Sequence, residues 1–121
     1  MQREEFEKLV AQAIDEIPEE FLVKLKNVAI VVEEEPSAEQ LRMLKLRNDT
    51  ALLGLYEGVP LTKRNEYTMA LPDKISIFKK PIESLAPAPE EIKKLVQDTV
   101  RHEIAHHFGS DERGARKASK K

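Results

Sequence analysis

Residues 89–112 read PEEIKKLVQDTVRHEIAHHFGSDE, and the rest of the chain is best understood outward from this stretch. No Gly or further Pro interrupts it between Pro89 and Phe108. Pro89 suits the first position of a helix, where its missing N–H would have no partner. Gly109 suits the left-handed residue that closes one. The spacing predicts a helix of about twenty residues, roughly 30 Å long at about 1.5 Å per residue, enough to cross a small domain. At about 100° per residue, Ile92, Leu95, Val96, Thr99 and Val100 fall on one apolar stripe. Continued, that stripe meets Glu103 and His106, with His102 at its edge. Ionisable groups on an inward face are costly unless paired or bound to a metal. With Ile104, Ala105 and Phe108 apolar on other sides, this half of the helix is expected to be surrounded by protein, at an internal site or the floor of a cleft.

All three histidines of the chain, His102, His106 and His107, lie within six consecutive residues, and there is no Cys. A disulfide scaffold, a thiolate metal site and a cysteine nucleophile are excluded together, so any metal must be held by His, Asp or Glu. His102 and His106 are four apart, which sets their imidazoles one turn apart on one face, able to reach a single ion at a Zn–N distance of about 2.0–2.1 Å. Glu103 is rotated by about 100° from His102, where it can act on a metal-activated water without ligating the metal. The pattern is HExxH. A third ligand must come from elsewhere. A turn at Gly109 would bring Asp111 or Glu112 back toward the ion, while His107, about 100° from His106, is expected to be a neighbour.

Upstream, Phe6, Leu9, Val10, Ala13, Ile14 and Ile17 recur at spacings of three and four and predict an amphipathic helix ending at Pro18. Phe21, Leu22 and Leu25 predict a helical turn, and Asn27–Glu33 (NVAIVVE) a buried strand. Ser37-Ala38-Glu39-Gln40 after Pro36 carries a capping-box pattern for a short helix. Ala51–Tyr56 (ALLGLY) reads as a second strand stopped by Gly58 and Pro60, Leu61–Tyr67 as an exposed polar loop, and Ile75 and Ile77, with Thr68–Leu71, as a further strand or hairpin. Pro81, Pro87 and Pro89 punctuate a connector. The sheet is small, three or four strands.

The 121 residues fit one domain, and 40% hydrophobic with 35% charged residues supports a modest core under a solvated surface. No apolar run approaches the roughly 18 to 20 residues that span a bilayer, and the start MQREEFEK lacks the hydrophobic stretch of a signal peptide. A cytoplasmic protein with no membrane partner is expected. The net charge of −2 conceals a gradient: residues 1–40 hold 11 acidic and 4 basic side chains, a balance of −7 that leaves +5 for the rest. Arg113, Arg116, Lys117, Lys120 and Lys121 make a basic end with no aromatic interleaved for base stacking, so a flexible solubilising tail is expected rather than a nucleic-acid contact.

The segments HEIAHHFGSDE, LLGLYEGVPLT (52–62) and KISIFKKPI resemble the small bacterial zincin-like metallopeptidase family, whose motif is HExxHxxGxxD near the C-terminus. The resemblance covers residues 1–112, leaving 113–121 as a tail. It implies an α+β minimal zincin fold, a small mixed sheet packed on helices, with the metal on the long C-terminal helix and a substrate cleft along the sheet edge. By position, His102 and His106 match the family's histidine ligands, Glu103 its catalytic glutamate and Gly109 its turn. The third ligand departs from the pattern: Glu112 stands where the family has Asp, and Asp111 sits one residue earlier. The implied activity is hydrolysis of peptide bonds with one Zn2+ ion and Glu103 as general base. Apart from the resemblance, Tyr56, Arg64 and Tyr67, on the loop beyond the second strand, are candidate donors to the oxyanion. Two rival classes are a metal-dependent endoribonuclease, whose members have three histidines and lack the glutamate after the first, and a metal-binding regulatory module without appreciable turnover.

Overall fold

Phe6, Val10 and Ala13 recur at helical spacing and, with Ile17 just beyond, form the buried face of the first helix, α1 (Arg3–Asp15). The structure, a computed structural model of the chain, describes residues 1–44, 52–58 and 72–119, with 43–44 and 108–119 followed as backbone only. Pro18 caps a short helix, α2 (Glu19–Leu22), which tightens into one 3-10 turn over Val23–Leu25. The β-branched run then extends as β1 (Val28–Glu33). The capping box forms as its spacing predicts: Gln40 N–H donates to Ser37 Oγ at 3.0 Å and Ser37 N–H donates to Gln40 Oε1 at 2.8 Å. Two otherwise orphaned donors are satisfied, and α3 (Ala38–Leu44) follows.

β2 (Gly54–Glu57) and β3 (Asp73–Phe78) complete a three-stranded mixed sheet among the described residues, in the order β1-β3-β2. β3 runs parallel to β1, Val28 facing Asp73 and Glu33 facing Phe78, and antiparallel to β2, Gly54 facing Ile77 and Glu57 facing Lys74. The second strand is displaced from its expected span: Leu52 and Leu53 precede the ladder and Glu57 closes it. Ala51, the polar stretch Leu61–Tyr67 and the candidate strand Thr68–Leu71 lie outside the described residues.

Where the prolines suggested only a connector, a helix α4 (Lys79–Leu85) follows β3 directly. Pro81 sits in its first turn, where a missing N–H breaks no intrahelical bond, and Ile82 one residue on is fully buried. The nearly buried Lys79 ammonium is held between Glu83 at 3.4 Å and Glu34 at 3.9 Å. A buried lysine needs such partners.

The last helix, α5 (Pro89–Ser119), starts at Pro89 as expected but does not stop at Gly109. A glycine in a helix interior costs only about 1 kcal/mol relative to alanine, and the residues beyond it (SDERGARKAS) include several good helix formers. The basic segment from Arg113, expected as a tail, therefore continues the helix backbone to Ser119. Its buried line also differs from the expected stripe. Ile92, Val96, Val100 and Ile104 are the deeply buried residues, and each step of four overshoots a full turn by about 40°. Burial winds around the helix and passes through Ile104, leaving Glu103 half-buried and His102, Ala105 and His106 exposed. Energetics favour this path, since burying an isoleucine is worth about 1.5–3 kcal/mol whereas a polar imidazole must give up its hydration to be buried.

These aliphatics meet Phe6, Val10 and Ala13 of α1 and Val32, Ile75 and Ile77 of the sheet in one core. Gln97 Nε2 donates to the Ala13 carbonyl at 3.0 Å, and Lys93 pairs with Glu16 at 3.0 Å, fixing α1 against α5. On the other flank α5 approaches β2 unusually closely. A Cβ added at Gly54 would stand 2.6 Å from Thr99 Cγ2 and 3.0 Å from the Ser76 carbonyl oxygen. Thr99 cannot rotate away without losing the bond its hydroxyl donates to the Leu95 carbonyl at 2.7 Å. Gly54→Ala should therefore destabilise the chain by about 1–3 kcal/mol, as overpacking does. Adding Thr99→Ser, which deletes the obstructing methyl, should recover part of that loss in urea unfolding.

Candidate functional site

β2 is an edge strand among the described residues, and its alternation determines what it offers. The Leu53 carbonyl accepts from Phe78 N–H at 2.9 Å, so the backbone groups of residues 53, 55 and 57 face β3 and those of Gly54 and Tyr56 face away. The outward N–H of Tyr56 donates to Glu103 Oε1 at 3.1 Å. This bond joins the edge strand to α5 and fixes one oxygen of the carboxylate. Tyr56 is itself held at two further points: its hydroxyl donates to Asp73 Oδ2 at 2.7 Å, and its ring stacks on His107 with centroids 3.9 Å apart and planes 14° from parallel.

His102 and His106 lie one turn apart on α5, with ring centroids 4.5 Å apart and planes inclined by 51°. Their separation suits two imidazole nitrogens converging on one ion. Burial raises the Glu103 pKa above the ordinary carboxylate value, opposed by the Tyr56 N–H bond and by the neighbouring His106 and His102. His102 and His106 are thus exposed and Glu103 half-buried on the part of α5 beside the edge of β2. They are not on the fully buried line that a straight apolar stripe implied.

No group of three His, Asp or Glu able to hold a metal is present among the described residues. Asp111 and Glu112 fall on the continued helix, and their side chains lie outside the described part. Nine and ten residues beyond His102, an unbroken helix carries them about 14–15 Å along its axis. For either carboxylate to join the two imidazoles, α5 must open between His106 and residue 111, and Gly109 is where that costs least. Of the three candidate oxyanion donors, Arg64 and Tyr67 are outside the described residues, and the Tyr56 hydroxyl is engaged by Asp73. Asp73 and the Tyr56 amide escaped the sequence reading because no motif spacing links residues 56, 73 and 103. The ladder of β2 against β3 brings residue 56 to 73, and the packing of α5 on β2 brings 103 to 56.

A family model described as zincin-like metallopeptidase matches residues 25–118. The chain belongs to this family. The match takes in every strand, α3, α4 and the whole HExxH segment, and so agrees with the α+β arrangement and its long C-terminal helix. A solved structure, a conserved hypothetical protein from Thermo thermophilus, is similar with a TM-score of 0.58 at 23% identity, covering 90% of this chain and 95% of that one. That likeness shows a shared fold. No curated protein matches the chain. Among the described residues no helix is long and apolar enough to cross a membrane.

Because burial raises the Glu103 pKa, the folded chain holds this proton more tightly than the unfolded chain. Below the ordinary carboxylate pKa the group costs nothing. As pH rises through the folded value, ionising it in place subtracts stability. The metal-free Glu103→Gln variant, which keeps an oxygen for the Tyr56 N–H, should melt above the parent chain at pH 7, and the two should converge on acidification below about pH 4. Thermal melts across that range would read the difference directly.

Proposed function

We propose that this zincin-like protein is a zinc-dependent peptidase in which Glu103 is the general base. The observation that carries this reading is the Glu103 carboxylate, tied through one oxygen to the Tyr56 amide beside the paired imidazoles of His102 and His106. The donor set suits zinc, since two neighbouring imidazoles with carboxylates nearby and no thiol are borderline-soft nitrogen and oxygen ligands. His102 and His106 would hold the ion, and Asp111 or Glu112 would supply the third protein ligand. When bound, zinc contributes Lewis acidity, polarising a scissile carbonyl and making water acidic enough to lose a proton near neutral pH.

The remaining chemistry belongs to the chain. With Oε1 anchored, Glu103 keeps Oε2 to accept a proton from the attacking water and return it to the leaving amine. Partial burial helps both halves of that cycle, because a carboxylate of raised pKa is the better base and its acid form is easier to retain. The Tyr56–Asp73 bond and the Tyr56–His107 stack hold the amide that orients Glu103. An extended peptide would lie in a cleft along the β2 edge of the sheet, clear of the Tyr56 amide that Glu103 engages. Residues 1–112 would form the catalytic unit, with the basic segment 113–121 appended to it. Glu103 disfavours the endoribonuclease reading, whose members lack a glutamate at this position.

Metal analysis together with a peptide-library digest tests the proposal. One zinc per chain is expected, with loss of zinc in His102→Ala and in His106→Ala, and loss in whichever of Asp111→Ala and Glu112→Ala removes the third ligand. Glu103→Gln should retain zinc while cleavage falls by about 10²–10⁴-fold, and a chelator should abolish cleavage in the parent chain. Zinc retained without cleavage of any peptide would identify a binding module, and absence of zinc would overturn the proposal outright.

A further inference from the structure

The backbone of α5 runs as one helix from Pro89 through Gly109 to Ser119. That continuity and a completed three-ligand metal site exclude each other. Two imidazoles one turn apart and a third protein ligand must all reach one ion at about 2.0–2.2 Å. An unbroken helix instead sets position 111 about 180° around its axis from His102, and raises position 112 about 9 Å beyond His106. Only one of the two arrangements can hold at a time.

The residues beyond Phe108 make the helical arrangement easy to give up. Two of the four glycines of the chain, Gly109 and Gly114, fall within this short stretch, and each favours an open backbone over a helix about fivefold relative to alanine. Residues 109–119 are also shorter than the roughly 12–15 residues that an isolated helix needs in water, so they are helical as a continuation of the turns before them. Interrupted at Gly109, the remainder loses that support. The motif stands on firmer ground. His102, Glu103 and His106 all precede Gly109, on turns anchored by the buried Val100 and Ile104 and by the Tyr56 amide. Opening beyond Phe108 leaves them in place.

We propose that the end of α5 is a zinc-coupled switch: in the metal-free chain positions 111 and 112 are held in the helix, and zinc binding opens residues 109–119 so that Asp111 or Glu112 joins the two histidines. This rests on the zinc reading above and adds a regulation to it. A ligand that needs a minor conformation binds more weakly in proportion to how rarely that conformation is populated. Zinc affinity is therefore set in part by helix propensity at positions that never touch the ion, and a chain short of zinc keeps Glu103 and the histidine pair in position while withholding the third ligand.

Zinc titration of the full chain, followed by far-ultraviolet circular dichroism and amide hydrogen exchange, tests this. One equivalent of zinc should lower the helical signal. The amides of residues 113–119 should exchange about tenfold faster with zinc than without it, while those of residues 96–100 stay protected. Zinc affinity, measured by competition with a metal indicator, should fall about fivefold in Gly114→Ala and rise about fivefold in Ala115→Gly, although neither position is a ligand or the turn itself. Zinc bound at one per chain with the helical signal and the exchange unchanged overturns the switch and leaves the zinc reading standing, as does an affinity indifferent to both substitutions. A chain that takes up no zinc overturns both.

Discussion

The packing of β2 against α5 governs the geometry of everything around the motif. With no side chain at Gly54, the strand settles within van der Waals reach of Thr99, and two residues further along the strand and about one turn further along the helix the Tyr56 amide comes within 3.1 Å of the Glu103 carboxylate. A larger separation at Gly54 would lengthen that bond and leave an edge-strand amide without its acceptor. The same approach sets the Tyr56 ring against His107 and its hydroxyl against Asp73. The spacing of two backbones therefore fixes four side chains drawn from three elements.

The histidines and the glutamate of the motif are treated differently by this arrangement. Helical geometry alone sets His102 beside His106, so that pair forms wherever α5 is helical. Glu103 depends on tertiary structure: its anchor lies 47 residues away in sequence, and its raised pKa comes from the protein around it. Loosening of β2 would release and rehydrate the carboxylate while leaving the imidazole pair intact. Within the proposed chemistry, ligand geometry is local and proton-transfer geometry is not.

Much of the architecture was legible in local pattern. The apolar spacing of α1, the Ser37–Gln40 capping box, the β-branched run of β1 and Pro89 at the head of α5 each express a preference of the local chain, and each forms as read. The departures occur where longer-range terms compete. Pro81 looked like a breaker because its place in a first turn is visible only once β3 has ended at Phe78. Gly109 looked like a stop, yet its cost in a helix is small beside a run of helix-forming neighbours. A straight stripe projected along α5 implies a site that is internal or at the floor of a cleft. The stripe winds, and Ile104 takes the buried position that the projection gave to Glu103 and His106. Within the candidate site the motif residues follow from spacing, whereas Asp73 and the Tyr56 amide are visible only through the sheet ladder and the packing of α5 on β2.

The link between Gln97 and the Ala13 carbonyl closes a loop of 84 residues, and the parallel partner of β1 is likewise distant in sequence. Contacts of such range are slow to form, since the entropy of closing the loop is lost before the contact returns anything. α1 and β1 must wait for α5 to cover them, and Glu103 meets its anchoring amide only after the helix has docked. Assembly order thus acts as a timer: a folding chain can display its histidine pair before it can position its carboxylate, and the Glu103 geometry exists only when the fold is complete.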